Sequence, residues 1–398
     1  SSSSFSSRAA SDAAGEEPRG RKLVAPPPAR FQRRIAAVAR QAAQDGTRDP
    51  KLWSDICLEL FHHLRYNSPQ NISLTLNALA RIDHHDEALL DHVACTLNPA
   101  WLCSFNVQDI ALLLNCYAKL KHASPQLFKI CADELLWKLP DAGPQEIALV
   151  GNACAQVRAY DAALFRHLSA LTLRGLDEFC PRHVANMLHA FARVDASTPE
   201  FFQALATRLR APEAAGELST IGVAHACFAI NRAALEHRNL HETARPLLEV
   251  LARRFVALTR ESPGAEPWEP RHVATVMRAC LRVGIHSPQF VRILTRRLKT
   301  CIDAVAAAAV APAAGHSSGR GGPAGRAPPS TRPALLDAVE AAAALRTSLE
   351  RAADVTGSSA PAPEDTAPLD GVLRVALDAL LASAGTTAAT SAAAREAE

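Results

Sequence analysis

The sequence predicts an all-α protein, an α-solenoid of about seven helix–turn–helix repeats of 37–38 residues each. Three observations carry that expectation. A β-branched residue followed by a small one recurs at a nearly fixed interval. Prolines keep step with it at two positions in each interval. Ala dominates a chain of 398 residues in which aromatics make up 5%, a balance that favours helix over strand.

The recurring step reads Ile35-Ala36, Ile72-Ser73, Ile110-Ala111, Ile147-Ala148, Val184-Ala185, Ile221-Gly222 and Val273-Ala274, at intervals of 37, 38, 37, 37, 37 and 52 residues. A period in this range marks an array of helical hairpins. Pro50, Pro125, Pro199 and Pro288 stand fifteen residues after the step, each followed by a large apolar pair such as Leu127-Phe128. Pro69, Pro144, Pro181 and Pro270 stand three residues before it. Proline is accepted in the first turn of a helix and resisted in its interior, so two prolines per period mark two helix starts. The long interval of 52 is read as extra residues ahead of a second helix starting at Pro246, plus the loop ESPGAEPWEP at 261–270. Turns lie outside the stacked core and tolerate such insertions.

Around the array the composition changes. Residues 1–29 read as a disordered tail or the remnant of a transit peptide, and 30–302 as the solenoid. Residues 303–332 form a linker rich in Ala, Gly, Pro and Ser. Residues 333–384 hold two helical segments, 333–354 and 368–384, that can cap the array, and 385–398 form a second tail. No apolar run reaches the roughly 18–20 residues of a membrane-spanning helix.

The first helix of each repeat has two faces. The step and the residues three, four and seven beyond it, such as Ile110, Leu113, Leu114 and Tyr117, lie together and are expected to be buried. Small residues recur eight after the step at Ala80, Ala118, Ala155, Ala192 and Ala229, allowing close packing. The opposite face uses the positions two before the step and two, five and nine after it. There the first repeat places Arg33 and Arg40, the second Asn77 and Arg81, and the third Gln108, Asn115 and Lys119. The fourth places Gln145, Asn152 and Gln156, and the fifth Arg182, Asn186, His189 and Arg193. The sixth contributes Ser219, Val223, Ala226 and Ile230, and the seventh Arg271, Arg278 and Arg282.

These 28 positions hold nine Arg or Lys and no Asp or Glu, in a chain with 43 basic and 40 acidic residues. A basic surface must therefore come from arrangement. Stacked repeats set such side chains in rows, and Arg and Lys neutralise phosphates while Asn, Gln and His read exposed base edges. The row is thus a candidate RNA-binding groove; a solvated face or a dock for an acidic protein are its alternatives. Arg292, Arg296, Arg297 and Lys299 add basic charge on the second helix of the last repeat.

Signs of catalysis are weak. The chain carries no Walker-type loop, GxGxxG, GxSxG or HExxH, and no CxxC among its 10 cysteines. Cys116, Cys154, Cys227 and Cys280 fall in one stretch of the repeat and read as small, buried, reduced residues. The run HHDEALLDH at 84–92 gathers His84, His85, Asp86, Asp91 and His92, and is expected to be a solvated helix start. No enzyme activity, metal or cofactor is expected.

With QDIALLLNCYAKL and RHVANMLHAFARV as the clearest passages, residues 33–301 resemble the organellar heptatricopeptide and octotricopeptide repeat proteins, similar in style to FAST-kinase-like proteins with a RAP domain. No RAP-like domain follows the repeats here. The Ala- and Arg-rich style resembles that of GC-rich protists such as apicomplexans, or of algae. The resemblance implies an RNA-binding solenoid in the mitochondrial matrix, or alternatively a plastid. Its role would lie in transcript processing or stability, ribosomal RNA handling or ribosome assembly. The partners implied are single-stranded or ribosomal RNA, together with ribosomal or RNA-processing proteins. The alternative is a structural scaffold, such as a subunit or assembly factor of the mitochondrial ribosome.

Overall fold

The computed structural model describes residues 29–236, 240–260, 268–284 and 287–310, together with positions 339, 343 and 347. Among these residues every element is helical, and the helices form seven consecutive hairpins. The first pairs α1 (Ala29–Gln44) with α2 (Pro50–His63); the second pairs α3 (Pro69–Ile82) with α4 (Glu87–Thr96), followed by the short α5 (Pro99–Leu102). The third pairs α6 (Val107–Lys119) with α7 (Pro125–Lys138), and the fourth α8 (Pro144–Gln156) with α9 (Ala162–Arg174). The fifth pairs α10 (Pro181–Arg193) with α11 (Pro199–Arg210) and ends in the short α12 (Pro212–Gly216). The sixth pairs α13 (Thr220–Glu236) with α14 (His241–Arg260), and the seventh α15 (Pro270–Val283) with α16 (Pro288–Val310).

All eight prolines that keep step with the period open a helix, as expected. The residue ahead of several helix starts is a cap. Ser68, Asp86, Asn106, Asp161 and Thr198 each accept a first-turn amide with the side chain, satisfying donors that have no partner within the helix. The hairpin turn repeats as well. A left-handed residue stands eleven positions after the step at Gly46, Asp83, Lys121, Arg158, Asp195 and Gly284. In the first five hairpins the next amide returns to a carbonyl in the last helical turn, as in His122 N–H to Tyr117 O at 3.0 Å and Ala196 N–H to Phe191 O at 2.9 Å. This bond closes a Schellman motif.

Each first helix packs on the first helix of the next hairpin, from α1 through α3, α6, α8, α10 and α13 to α15. Small residues permit it: Ala111, Ala148 and Ala185 are buried, and a Cβ on Gly151 would stand 3.3 Å from Met187 Sδ. The second helices approach one another less closely, so the array curves with the first helices inside. Large side chains fill the layer between. Phe191 stacks on Phe201 at 4.2 Å and meets Phe165 edge-on at 5.1 Å. The buried Tyr117 hydroxyl donates to Leu90 O at 2.6 Å, tying the third hairpin to the second. Cations also cross the joints: Arg254 Nε donates to Leu218 O at 2.9 Å, and Lys138 reaches three carbonyls of the preceding hairpin's end.

Three expectations need correction. The second helix of the sixth hairpin starts at His241, and Pro246 lies inside it; the extra residues are taken up by a longer α13 and an earlier α14, at the loss of one amide donor. The last helix runs to Val310, past the expected boundary at 302, because its Ala-rich end continues to favour helix. The short helices α5 and α12 were not expected, although Pro99 and Pro212 open them. Residues 1–28 of the expected tail at 1–29, residues 311–332 of the expected linker at 303–332, the segment 368–384 and the tail at 385–398 lie outside the described residues, whereas 303–310 belong to α16. Within 333–354, positions 339, 343 and 347 are helical, and Val339 packs against the core. No helix among the described residues is long and apolar enough to cross a membrane.

Candidate nucleic-acid interface

The row of first-helix side chains lies on the inner layer of the array. Arg40, Arg81, Gln108, Lys119, Gln145, Arg182, Arg193, Arg271 and Arg282 are exposed. Asn77, Asn152, Gln156, Asn186, His189 and Arg278 are half-buried, and of Arg33 only its place in α1 is described. Asn115 departs from expectation: at 7% exposure it is buried and offers little surface to a strand.

The sixth hairpin corrects the register. Ile221, read as the step, is 37% exposed, whereas Val223 and Ala224 are 0% and 3% exposed. The step there is Val223-Ala224, and the intervals on either side become 39 and 50 residues. Val223, Ala226, Cys227 and Ile230 form its buried face. The row residues are therefore Ile221, His225, Phe228 and Arg232, and Asn231, not Ala229, stands eight after the step. A signal was present in the sequence. Counting three, four and seven from Val223 meets Ala226, Cys227 and Ile230, all apolar; counting from Ile221 meets Ala224, His225 and Phe228. Corrected, the row gains an Arg, a His and a Phe, still holds no acid, and carries ten Arg or Lys.

The corrected row is continuous between the fifth and sixth hairpins. His189 and His225 lie parallel with ring centroids 4.1 Å apart and planes at 10°. Phe228 meets His189 edge-on at 5.0 Å, and His225 Nδ1 stands 3.0 Å from Asn186 Oδ1. Burial pushes His189 down to about 2, helped by the charges of His225, Arg193 and His272. Burial likewise pushes His225 down to about 4, with His272, Arg271 and Arg193 adding to it. Both rings are neutral at physiological pH, so they act as flat, polar, uncharged surfaces amid arginines. His189 Nδ1 and Asn152 Oδ1 are buried without a hydrogen-bond partner in the protein. Such an atom costs about 1–3 kcal/mol unless water or a ligand meets it.

Several arginines also serve the fold. Arg193 Nε donates to Ala155 O at 3.0 Å and its Nη2 to Gln156 O at 3.4 Å, closing the end of α8. Arg232 pairs with Asp195, and Arg271 with Glu269 at 2.5 Å. Arg296 and Arg297 do not extend the row; with Arg260 they line a cleft between α14 and α16.

The neutral histidines set a pH dependence. Unfolded, both would take up protons near their ordinary value of about 6.5; folded, they do not. Stability from this pair is therefore complete above about pH 6.5 and declines as pH falls below it. Thermal melts at about pH 7 and about pH 5 are expected to show a drop for the wild type that shrinks in the double variant His189→Gln, His225→Gln.

The run at 84–92 is a helix start with His85, Glu87 and Asp91 exposed, as expected, but its side chains also reach neighbouring hairpins. Asp86 caps α4 through Leu89 N–H at 2.9 Å, while His84, Asp86 and the buried Cys57 form one group. His85 and Asp91 close instead on the buried His122, at 3.4 and 3.0 Å. The periodicity of the run did not reveal this, because Cys57 and His122 come from neighbouring hairpins. The cysteines follow expectation: all ten are free, and burial raises the Cys116, Cys154 and Cys280 thiols to about 12. Cys116, Cys154, Cys227 and Cys280 pack as small buried groups, whereas Cys95, Cys103 and Cys180 are exposed.

Stacked two-helix units along one curved inner layer define a helical-repeat protein, an α-solenoid. Residues 96–238 match the family model described as RESC6, RNA-editing substrate-binding complex 6 protein. The matched span covers just over a third of the chain. It runs from the end of α4 through α13, and so contains the histidine pair, Asn152, Asn186 and Arg193. No curated protein matches the chain.

Proposed function

We propose that this chain is a non-catalytic RNA-binding subunit of a mitochondrial RNA-processing assembly. It holds single-stranded RNA along the inner row of its first helices. The observation that carries this reading is the composition of the row, ten Arg or Lys with amides and histidines and no acid in 28 positions. Phosphates meet the exposed cations of the first, second, third, fifth and seventh hairpins. Bases meet the neutral His189–His225 surface and the amide of Asn152. The family description matched by residues 96–238 names an RNA-editing substrate-binding complex, which favours transcript processing over ribosome assembly as the setting. The repeats' resemblance to organellar RNA-binding solenoids supports an organellar setting, for which the mitochondrion is proposed.

The test is the salt dependence of binding to a fluorescein-labelled single-stranded RNA, followed by anisotropy. Lys119→Ala, Arg182→Ala and Arg282→Ala together remove three exposed charges from three hairpins. Each lost phosphate contact lowers the slope of log K against log salt by about 0.7 for a single strand, so the triple variant is expected to be shallower by about 2. An unchanged affinity and slope would remove the row as the interface.

A second reading has its own observation. Trp137 is 84% exposed on α7, with Leu58 at 57% on α2 and Leu173 at 40% on α9, all on second helices. Large apolar groups on the outer layer suit a protein partner. If the wild type fails to hold RNA at low salt, this scaffold reading stands in place of the first.

A further inference from the structure

We propose that Cys57, His84 and Asp86 form a metal site for a zinc-class divalent cation, which clips the first hairpin to the second. The Cys57 sulfur, a ring nitrogen of His84 and a carboxylate oxygen of Asp86 all lie within 4.8 Å of one another. In a tetrahedral zinc site, bonds of about 2.0–2.3 Å place neighbouring donors roughly 3.3–3.7 Å apart. The three groups therefore need to close by about 1 Å, within reach of side-chain rotation.

Independent features of the backbone aim the three donors at one point. Cys57 projects from α2 and is 2% exposed. His84 follows the left-handed Asp83, whose φ is 59°, and its amide is held by Leu79 O at 3.0 Å. The His84 ring lies beside Trp53, with centroids 6.3 Å apart. Asp86 is fixed as the cap of α4, one oxygen taken by Leu89 N–H.

Binding displaces the thiol proton of Cys57: the S–H bond breaks, the sulfur–metal bond forms, and one proton leaves to solvent with no change of oxidation state. A thiolate with an imidazole selects zinc over magnesium or calcium, which prefer all-oxygen sets, and the carboxylate completes a mixed set familiar for zinc. Water would take the fourth position. Because the donors come from α2 and from the α3–α4 turn, the ion would cross-link two hairpins at the start of the array, where α1 has no earlier hairpin among the described residues to pack on.

The experiment uses the full chain, stripped with chelator and titrated with cobalt(II), then zinc(II). Cobalt is expected to bind one per chain. It should give visible d–d absorption of a low-symmetry site and a near-ultraviolet thiolate-to-cobalt band, both displaced by zinc. Zinc should raise the melting temperature of the stripped protein. Cys57→Ala is expected to abolish the thiolate band. Asp86→Asn keeps the helix cap and is expected to weaken cobalt binding at least tenfold while the chain stays helical by circular dichroism. Absence of a one-to-one cobalt complex in the wild type overturns the proposal, and so does a thiolate band that persists in Cys57→Ala. Neither outcome depends on RNA binding.

Discussion

Replacing Phe191 by Ala is expected to lower the stability of the array by about 3–5 kcal/mol, the range for truncating a buried aromatic. Phe191 is 1% exposed, stacked on Phe201 within its own hairpin and edge-on to Phe165 of the hairpin before. Truncation therefore opens a cavity at the joint between two repeats. In a solenoid each repeat contacts only its neighbours, so such a loss has no distant contacts to offset it. Urea unfolding followed by circular dichroism measures the effect. The damage should also be local: limited proteolysis should cut first between α9 and α11. A loss under 1 kcal/mol would show that the joint repacks around the missing ring.

The second large effect is expected at Lys138, on the end of α7. Its Nζ reaches Leu102 O at 3.3 Å, Cys103 O at 2.8 Å and Phe105 O at 2.5 Å, and pairs with Glu134 at 2.9 Å. The side chain is 22% exposed and that of Glu134 17%, so this ion pair is shielded compared with ordinary surface pairs. Lys138→Met keeps the aliphatic stem and removes the charge. Three carbonyls then lose a charged donor, and Glu134 loses its cation. The expected cost is about 2–3 kcal/mol, from the range for hydrogen bonds to charged groups. The control is Lys129→Met. Lys129 is 60% exposed and pairs with Asp133 and Asp161, an arrangement that contributes little. Chemical denaturation of the two variants in parallel checks the contrast, and equal losses would refute the clamp.

The hairpin architecture was legible because a repeat states its constraints many times. Ile110 with Leu113, Leu114 and Tyr117 announces a buried face at helical spacing, and Pro125 announces the next helix. The hairpin turns were less legible. Asp83, Lys121, Arg158 and Asp195 adopt the left-handed conformation without being glycine, so composition did not mark them. The sixth hairpin was misread by two residues because Ile221-Gly222 and Val223-Ala224 both satisfy a branched-then-small rule. The apolar residues three, four and seven beyond the step distinguish them, and burial against the neighbouring helices makes the choice plain.

The candidate interface divides the same way. Exposure of Lys119, Arg182 and Arg282 follows from helical period alone, since a position opposite the buried face must point outward. That Asn115 is buried, that Arg193 closes α8, and that His189 stacks on His225 depend on the spacing between successive helices. The grouping of Cys57 with His84 and Asp86 depends on it too, joining residues 27 positions apart.

By itself the sequence determined the class of fold, the number of hairpins, nearly every helix start and, outside the sixth hairpin, which face of each first helix is polar. These are consequences of local rules, proline geometry and a 3.6-residue period, that act within one repeat. Tertiary structure alone decided the pairing of side chains between repeats and the charge state of the groove histidines. Those depend on distances and burial between residues far apart in the chain, which periodicity within a repeat does not encode.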